Sequence, residues 1–184
     1  MMTSIPQRLL LLILLVAVPV GVSAQGSRWG TQRGKWGDWE LLEVGDNPVS
    51  GTSLVAATWA TEVSTSLRGP LWAAKGVGPS VTCVVPDIPA VLFKLGKPTP
   101  TSVQVRWRVQ GDEEATDFYR GASTDRANGF VAIVGESAKA FLNDIRAASA
   151  SISIEFRNGL AETHWMTIST NGGTSALTEL GCRP

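Results

Sequence analysis

Val103-Gln104-Val105-Arg106-Trp107-Arg108-Val109-Gln110 alternates apolar and polar side chains without a break. An extended chain sends successive side chains to opposite faces, so Val103, Val105, Trp107 and Val109 share one face while Arg106 and Arg108 share the other. That is a half-buried strand of a sheet with one wet face. Ser151 to Arg157 repeats the pattern, with Ile152, Ile154 and Phe156 on one side. Asn158-Gly159 then signals a hairpin turn, and Glu162 to Ser169 makes the returning strand.

Working outward, Trp36, Trp39, Leu41 and Val44 open a strand that ends at the turn Gly45-Asp46-Asn47-Pro48. Ser53 to Val63, rich in β-branched residues and alanine, reads as one further strand. Arg68-Gly69-Pro70 and Gly76 to Pro79 bracket a loop before the short strands Val81 to Val85 and Ala90 to Leu95. Phe118-Tyr119 and Gly129 to Val134 fit two strands separated by a polar loop from Gly121 to Asn128. The period then changes: Ala138, Phe141, Leu142 and Ile145 fall at i, i+3, i+4 and i+7, the stripe of an amphipathic helix. Thr174 is a candidate N-cap for a short C-terminal helix carrying Ala176, Leu177 and Leu180. Roughly eight short strands with one or two helices predict an all-β fold with minor helices, an antiparallel β-sandwich or a half-open barrel.

The first 24 residues read differently. Arg8 precedes the unbroken apolar run Leu9 to Val18, Pro19 and Gly21 follow, and Val22-Ser23-Ala24 ends in a small residue. This is the order of a signal peptide, with cleavage expected after Ala24, and the run is far short of the ~20 residues needed to span a bilayer. The expected organisation is a leader over 1–24, a flexible glycine-rich segment over 25–35 and a single β-rich domain over 36–184. The mature protein is then expected in the periplasm or outside the cell, without a stable membrane anchor.

Composition removes several function classes. The 184 residues carry 16 basic and 16 acidic side chains, with no Lys/Arg-rich run, so there is no electrostatic footprint for a nucleic acid. One histidine and two cysteines are too few for a His- or Cys-based metal site, and no cofactor is implied. Cys83 and Cys182 both follow the leader, and in an oxidising compartment a pair so widely spaced is expected to form a structural disulfide.

These features together resemble a known group. A Trp with a polar turn, Val81-Thr82-Cys83, Val105-Arg106-Trp107, Ser123-Thr124-Asp125, a helix with Phe141 and Leu142, and Ala176-Leu177-Thr178-Glu179-Leu180-Gly181-Cys182 are similar to exported bacterial proteins associated with type VI secretion. More loosely, the layout over 36–184 resembles the invasion-associated locus B proteins. The resemblance implies a non-enzymatic, β-rich periplasmic domain, acting as a secretion accessory or invasion-associated protein.

Three functional readings follow from the residues. The leading one is a non-catalytic interaction domain with a protein partner. Trp29, Trp36 and Trp39 fall within eleven residues among glycines, and that segment is the first candidate partner surface, aromatic side chains being enriched at interfaces. Trp39, Trp59, Trp107 and Trp165 also read as strand residues of the core. The second reading is a small secreted hydrolase using His164, the single histidine, or the acidic turn Asp112, Glu113, Glu114 and Asp117. No Gly-x-Ser-x-Gly or Ser-x-x-Lys motif accompanies His164. The third reading is a carbohydrate-binding module built on the tryptophans. Amino-terminal sequencing of the exported protein is expected to begin at Gln25, and thiol titration of the denatured, unreduced protein to find no free thiol.

Overall fold

The computed structural model describes residues 30–47, 51–67, 77–85, 88–126, 129–157 and 163–181. The expected leader, Trp29, the Asn158-Gly159 turn and Cys182 lie outside them. Among the described residues are eleven strands, all antiparallel to their neighbours, and two α-helices. The strands are β1 (Thr31–Trp36), β2 (Trp39–Asn47), β3 (Gly51–Thr58), β4 (Ala60–Val63), β5 (Gly78–Val85), β6 (Ile88–Lys94), β7 (Ser102–Val109), β8 (Tyr119–Asp125), β9 (Phe130–Val134), β10 (Ser151–Arg157) and β11 (Thr163–Ser169). The helices are α1 (Glu136–Ala147) and α2 (Gly173–Leu180).

The strands form one sheet in the order β1-β2-β3-β5-β6-β9-β8-β7-β10-β11-β4. The stretch Ser53 to Val63, read as one strand, is therefore two. β3 pairs with β2 and β5, while β4, beyond Trp59, pairs with β11 at the far end of the sheet. A chain bent at a single residue thus joins the two flanks, and the sheet curls back on itself as a half-open barrel. At the bend, the Ala60 N–H donates to the Val77 carbonyl (3.0 Å) and the buried Thr58 hydroxyl to the Asp38 carbonyl (2.9 Å).

The alternating stretch from Val103 lies in β7, and its inward face is buried at Val103, Val105 and Trp107. Trp107 stacks on Tyr119 at 4.9 Å between centroids and meets Phe141 of α1 edge-on at 5.1 Å. Phe93 makes similar edge contacts with Phe141 and Phe156. All four apolar-stripe residues of α1 (Ala138, Phe141, Leu142 and Ile145) are fully buried. The Trp107 indole N–H donates to the Asp144 carboxylate at 2.6 Å, so the helix also supplies the polar partner a buried indole needs.

Four local expectations are corrected. The glycine-rich segment, read as flexible through residue 35, enters the sheet at Thr31, where Arg33 and Lys35 of β1 form ion pairs with Glu43 and Glu40 of β2. Cross-strand charge pairing replaces apolar periodicity there. The polar loop expected from Gly121 is strand β8 as far as Asp125, held by backbone pairing to β7 and β9. The N-cap of α2 is Gly172, not Thr174: Gly172 has φ +86°, and a Cβ there would lie 1.9 Å from the Trp36 carbonyl oxygen. Trp165, read as core, is 41% exposed.

Replacing Trp107 by Phe removes the hydrogen bond to Asp144 and leaves that carboxylate without its indole donor. Urea denaturation is expected to show a loss of about 2–3 kcal/mol, with Asp144→Ala largely non-additive to it.

Candidate functional site

Each residue singled out in the sequence has a definite place. His164, on β11, points inward with Met166 and Ile168 and is 4% exposed. Its Nδ1 lies 2.6 Å from the Ser66 hydroxyl, on a 3₁₀ turn over Thr65–Leu67. Ser66 in turn lies 3.0 Å from the Ser64 hydroxyl, which accepts the Trp165 N–H at 3.2 Å, while the Ser64 N–H donates to the Trp165 carbonyl at 2.9 Å. The hydroxyls of Ser64 and Ser66 thus link the Trp165 N–H to the His164 ring in one continuous run. Ser64 thereby extends the β4–β11 ladder by one pair, its side chain replacing a carbonyl. A Ser–His contact is present, but its hydroxyls are engaged in holding the turn to the sheet.

The other candidates are dispersed. Trp39 is 0% exposed, and its indole N–H donates to the Ser169 carbonyl at 3.0 Å, so it is a core residue and offers no partner surface. Trp36 is half-buried against the core, with its ring over Gly34. Asp112, Glu113, Glu114 and Asp117 are all exposed, and among the described residues no three His, Cys, Asp or Glu side chains converge as metal ligands. Cys83 packs against the core on β5, and no free thiol occurs among the described residues.

The site that sequence reasoning missed is the outward face of β7, β10, β11 and β4. A groove of about 570 Å³ lies there, lined by Glu62, Arg106, Arg108, Ala115, Ser153 and Trp165 among others. A second hollow of about 480 Å³ shares Glu62, Arg108, Ser153 and Thr167 with it and continues to Gln110 and Ser151. The strand register explains the lining. Ser153 pairs with Arg108 on one side and Thr167 on the other, and Thr167 pairs with Glu62, so the four form one row across four strands. The next row is Arg106, Glu155 and Trp165. A bulge in β4 leaves Thr61 unpaired in register and turns both Thr61 and Glu62 outward.

The two rows differ in charge. In the second, Arg106 and Arg157 both bind Glu155, at 2.7 and 2.8 Å, and their guanidiniums flank the Phe118 ring at 4.5 and 4.7 Å. Those cations are paired and packed, each half-exposed contact adding little stability. In the first row, Arg108 and Glu62 are exposed and have no ion-pair partner among the described residues. Alternation alone carried this signal: with His164, Met166 and Ile168 inward, Trp165 and Thr167 must face outward.

A curled antiparallel sheet with one helix over its core and a second packed on β1, β2 and β3 defines the class, a β-rich half-barrel domain. No protein-family model and no curated protein matches the chain. Among solved structures, it is similar to the crystal structure of invasion associated protein B from Bartonella henselae, with a TM-score of 0.52 and 16% sequence identity over 80% of this chain and 94% of that one. The likeness shows a shared fold. No helix among the described residues is long and apolar enough to cross a membrane.

The hydroxyl chain makes His164 and Ser66 unequal under mutation. Thermal melting is expected to show a loss of about 1 kcal/mol or less for Ser66→Ala and about 2–3 kcal/mol for His164→Ala, which removes a buried ring.

Proposed function

We propose that the chain is an exported, non-catalytic interaction domain for a protein partner, held by a Cys83–Cys182 bridge. The observation that carries this reading is the outward face of β7, β10, β11 and β4. An exposed indole stands there with a guanidinium and a carboxylate that have no ion-pair partner among the described residues, over a floor of hydroxyls. Such a face can bind by complementarity of charge and shape. Export is supported by the leader-like segment over 1–24 and by the fold shared with a protein whose name calls it invasion associated. The bridge is supported by the absence of a free thiol among the described residues, by the single other cysteine in the chain and by the packing of α2 against β5, which carries Cys83. A secretion-accessory or invasion-associated role is the finer form of the same proposal.

The Ser66–His164 contact favours the hydrolase alternative, and one experiment addresses both. A photo-crosslinking amino acid at Ala115, on the groove wall, is expected to give a protein adduct in intact cells, and the same residue at Leu54, exposed on β3, is expected to give none. Absence of the Ala115 adduct overturns the interaction reading. Labelling of Ser66 by a fluorophosphonate, abolished by Ser66→Ala, overturns the non-catalytic one.

A further inference from the structure

Resting on the interaction reading, we infer that the groove takes an extended segment of the partner polypeptide carrying an acidic residue beside a basic one, with an apolar residue two positions from the basic one. β10 lies between β7 and β11 with both of its edges paired. The floor of the groove therefore presents side chains and no free backbone edge, and the occupant is read by side-chain chemistry and not by strand addition. Ser151 to Arg157 run the length of the two joined hollows, about 20 Å at the rise of a β-strand, the span of about six extended residues.

Charge selects the occupant. Arg108 and Glu62 stand on opposite flanks of one row, three strand spacings or about 14 Å apart at their Cα atoms. Both border both hollows. An acidic glycan or a nucleic acid would answer Arg108 and bring a like charge to Glu62 and to Asp112, which lines the second hollow, and a neutral sugar would answer neither sign. A polypeptide carries both signs. In an extended segment lying along the groove, neighbouring side chains point to opposite flanks, so an acid facing Arg108 puts the next residue beside Glu62. Trp165 lies two residues along β11 from Thr167, which pairs with Glu62. A side chain two positions from the base therefore covers the exposed indole.

The test uses the full exported protein and two peptides of identical composition, acetyl-Ser-Leu-Asp-Lys-Ser-Leu-Ser-amide and its charge-exchanged form acetyl-Ser-Leu-Lys-Asp-Ser-Leu-Ser-amide. Calorimetric titration is expected to give the first peptide at least tenfold tighter binding, and the Arg108→Glu/Glu62→Arg double variant is expected to reverse the preference. Both side chains are exposed, and circular dichroism checks that the variant keeps its fold. Equal affinities, no binding of either peptide, an unreversed preference in the double variant, or Arg108-dependent binding of oligogalacturonate in place of the peptides each overturns the inference. An Ala115 adduct that forms equally in the double variant, with no peptide bound, overturns this inference and leaves the interaction reading standing. Loss of the adduct in the wild-type chain overturns the interaction reading itself.

Discussion

Burying an indole obliges its N–H to find an acceptor, and much of this fold follows from how Trp107 meets that demand. The acceptor is Asp144, on the buried side of α1, reached at 2.6 Å. The same helix turn lays Phe141 edge-on against the Trp107 ring, and Tyr119 closes its other side. One side chain thus ties β7 to α1 and to β8. With Trp107 locked inward, pleating leaves Arg106 and Arg108 no direction but outward. The polar face and the core are two sides of one constraint.

The second constraint is the bend at Trp59. A sheet of this length has two edges, and open edges invite unwanted pairing. Here Gly51 to Val63 serve both flanks, β3 lying between β2 and β5 near one end of the strand order and β4 forming the other end. Closing the sheet this way brings β4 beside β11, and the bulge at Thr61 then turns Glu62 out across from Arg108. Without the bend Glu62 would not lie across from Arg108. The groove is therefore a product of closure, assembled from residues 62, 108, 153 and 167, which no local motif connects.

That explains which parts were legible. β7, β10, β11 and α1 were readable because period 2 and period 3.6 are local properties of the chain, and their inward residues matched. Strand β8 was legible only at Tyr119, since Gly121 to Asp125 is polar and small and owes its conformation to two neighbouring strands. β1 was hidden for a similar reason: its conformation comes from the backbone ladder with β2, while its side chains include Arg33 and Lys35, residues that composition assigns to a loop. The Gly172 cap was obscured because its positive φ answers a close approach of the Trp36 carbonyl, a contact spanning most of the chain. Trp165 is the case where the signal existed: alternation placed it opposite His164, and treating tryptophan as a core residue by type overrode that pattern.

The adjacency of His164 and Trp165 separates stability from binding. The imidazole faces the core, and its Ser66–Ser64 relay ends at the backbone of Trp165, fixing the strand end where the indole emerges. A serine beside a histidine is a nucleophile only when a substrate can reach it beside groups that stabilise the developing charge. Here the histidine is buried on the inward face that also carries Met166 and Ile168, while the groove opens on the opposite face of the same strand. The relay holds the backbone at Trp165, and the indole lines the groove. Because Arg108, Glu62 and Trp165 contribute little to the packed interior, their chemistry can change while Trp107, Phe141 and Asp144 keep the scaffold that presents them.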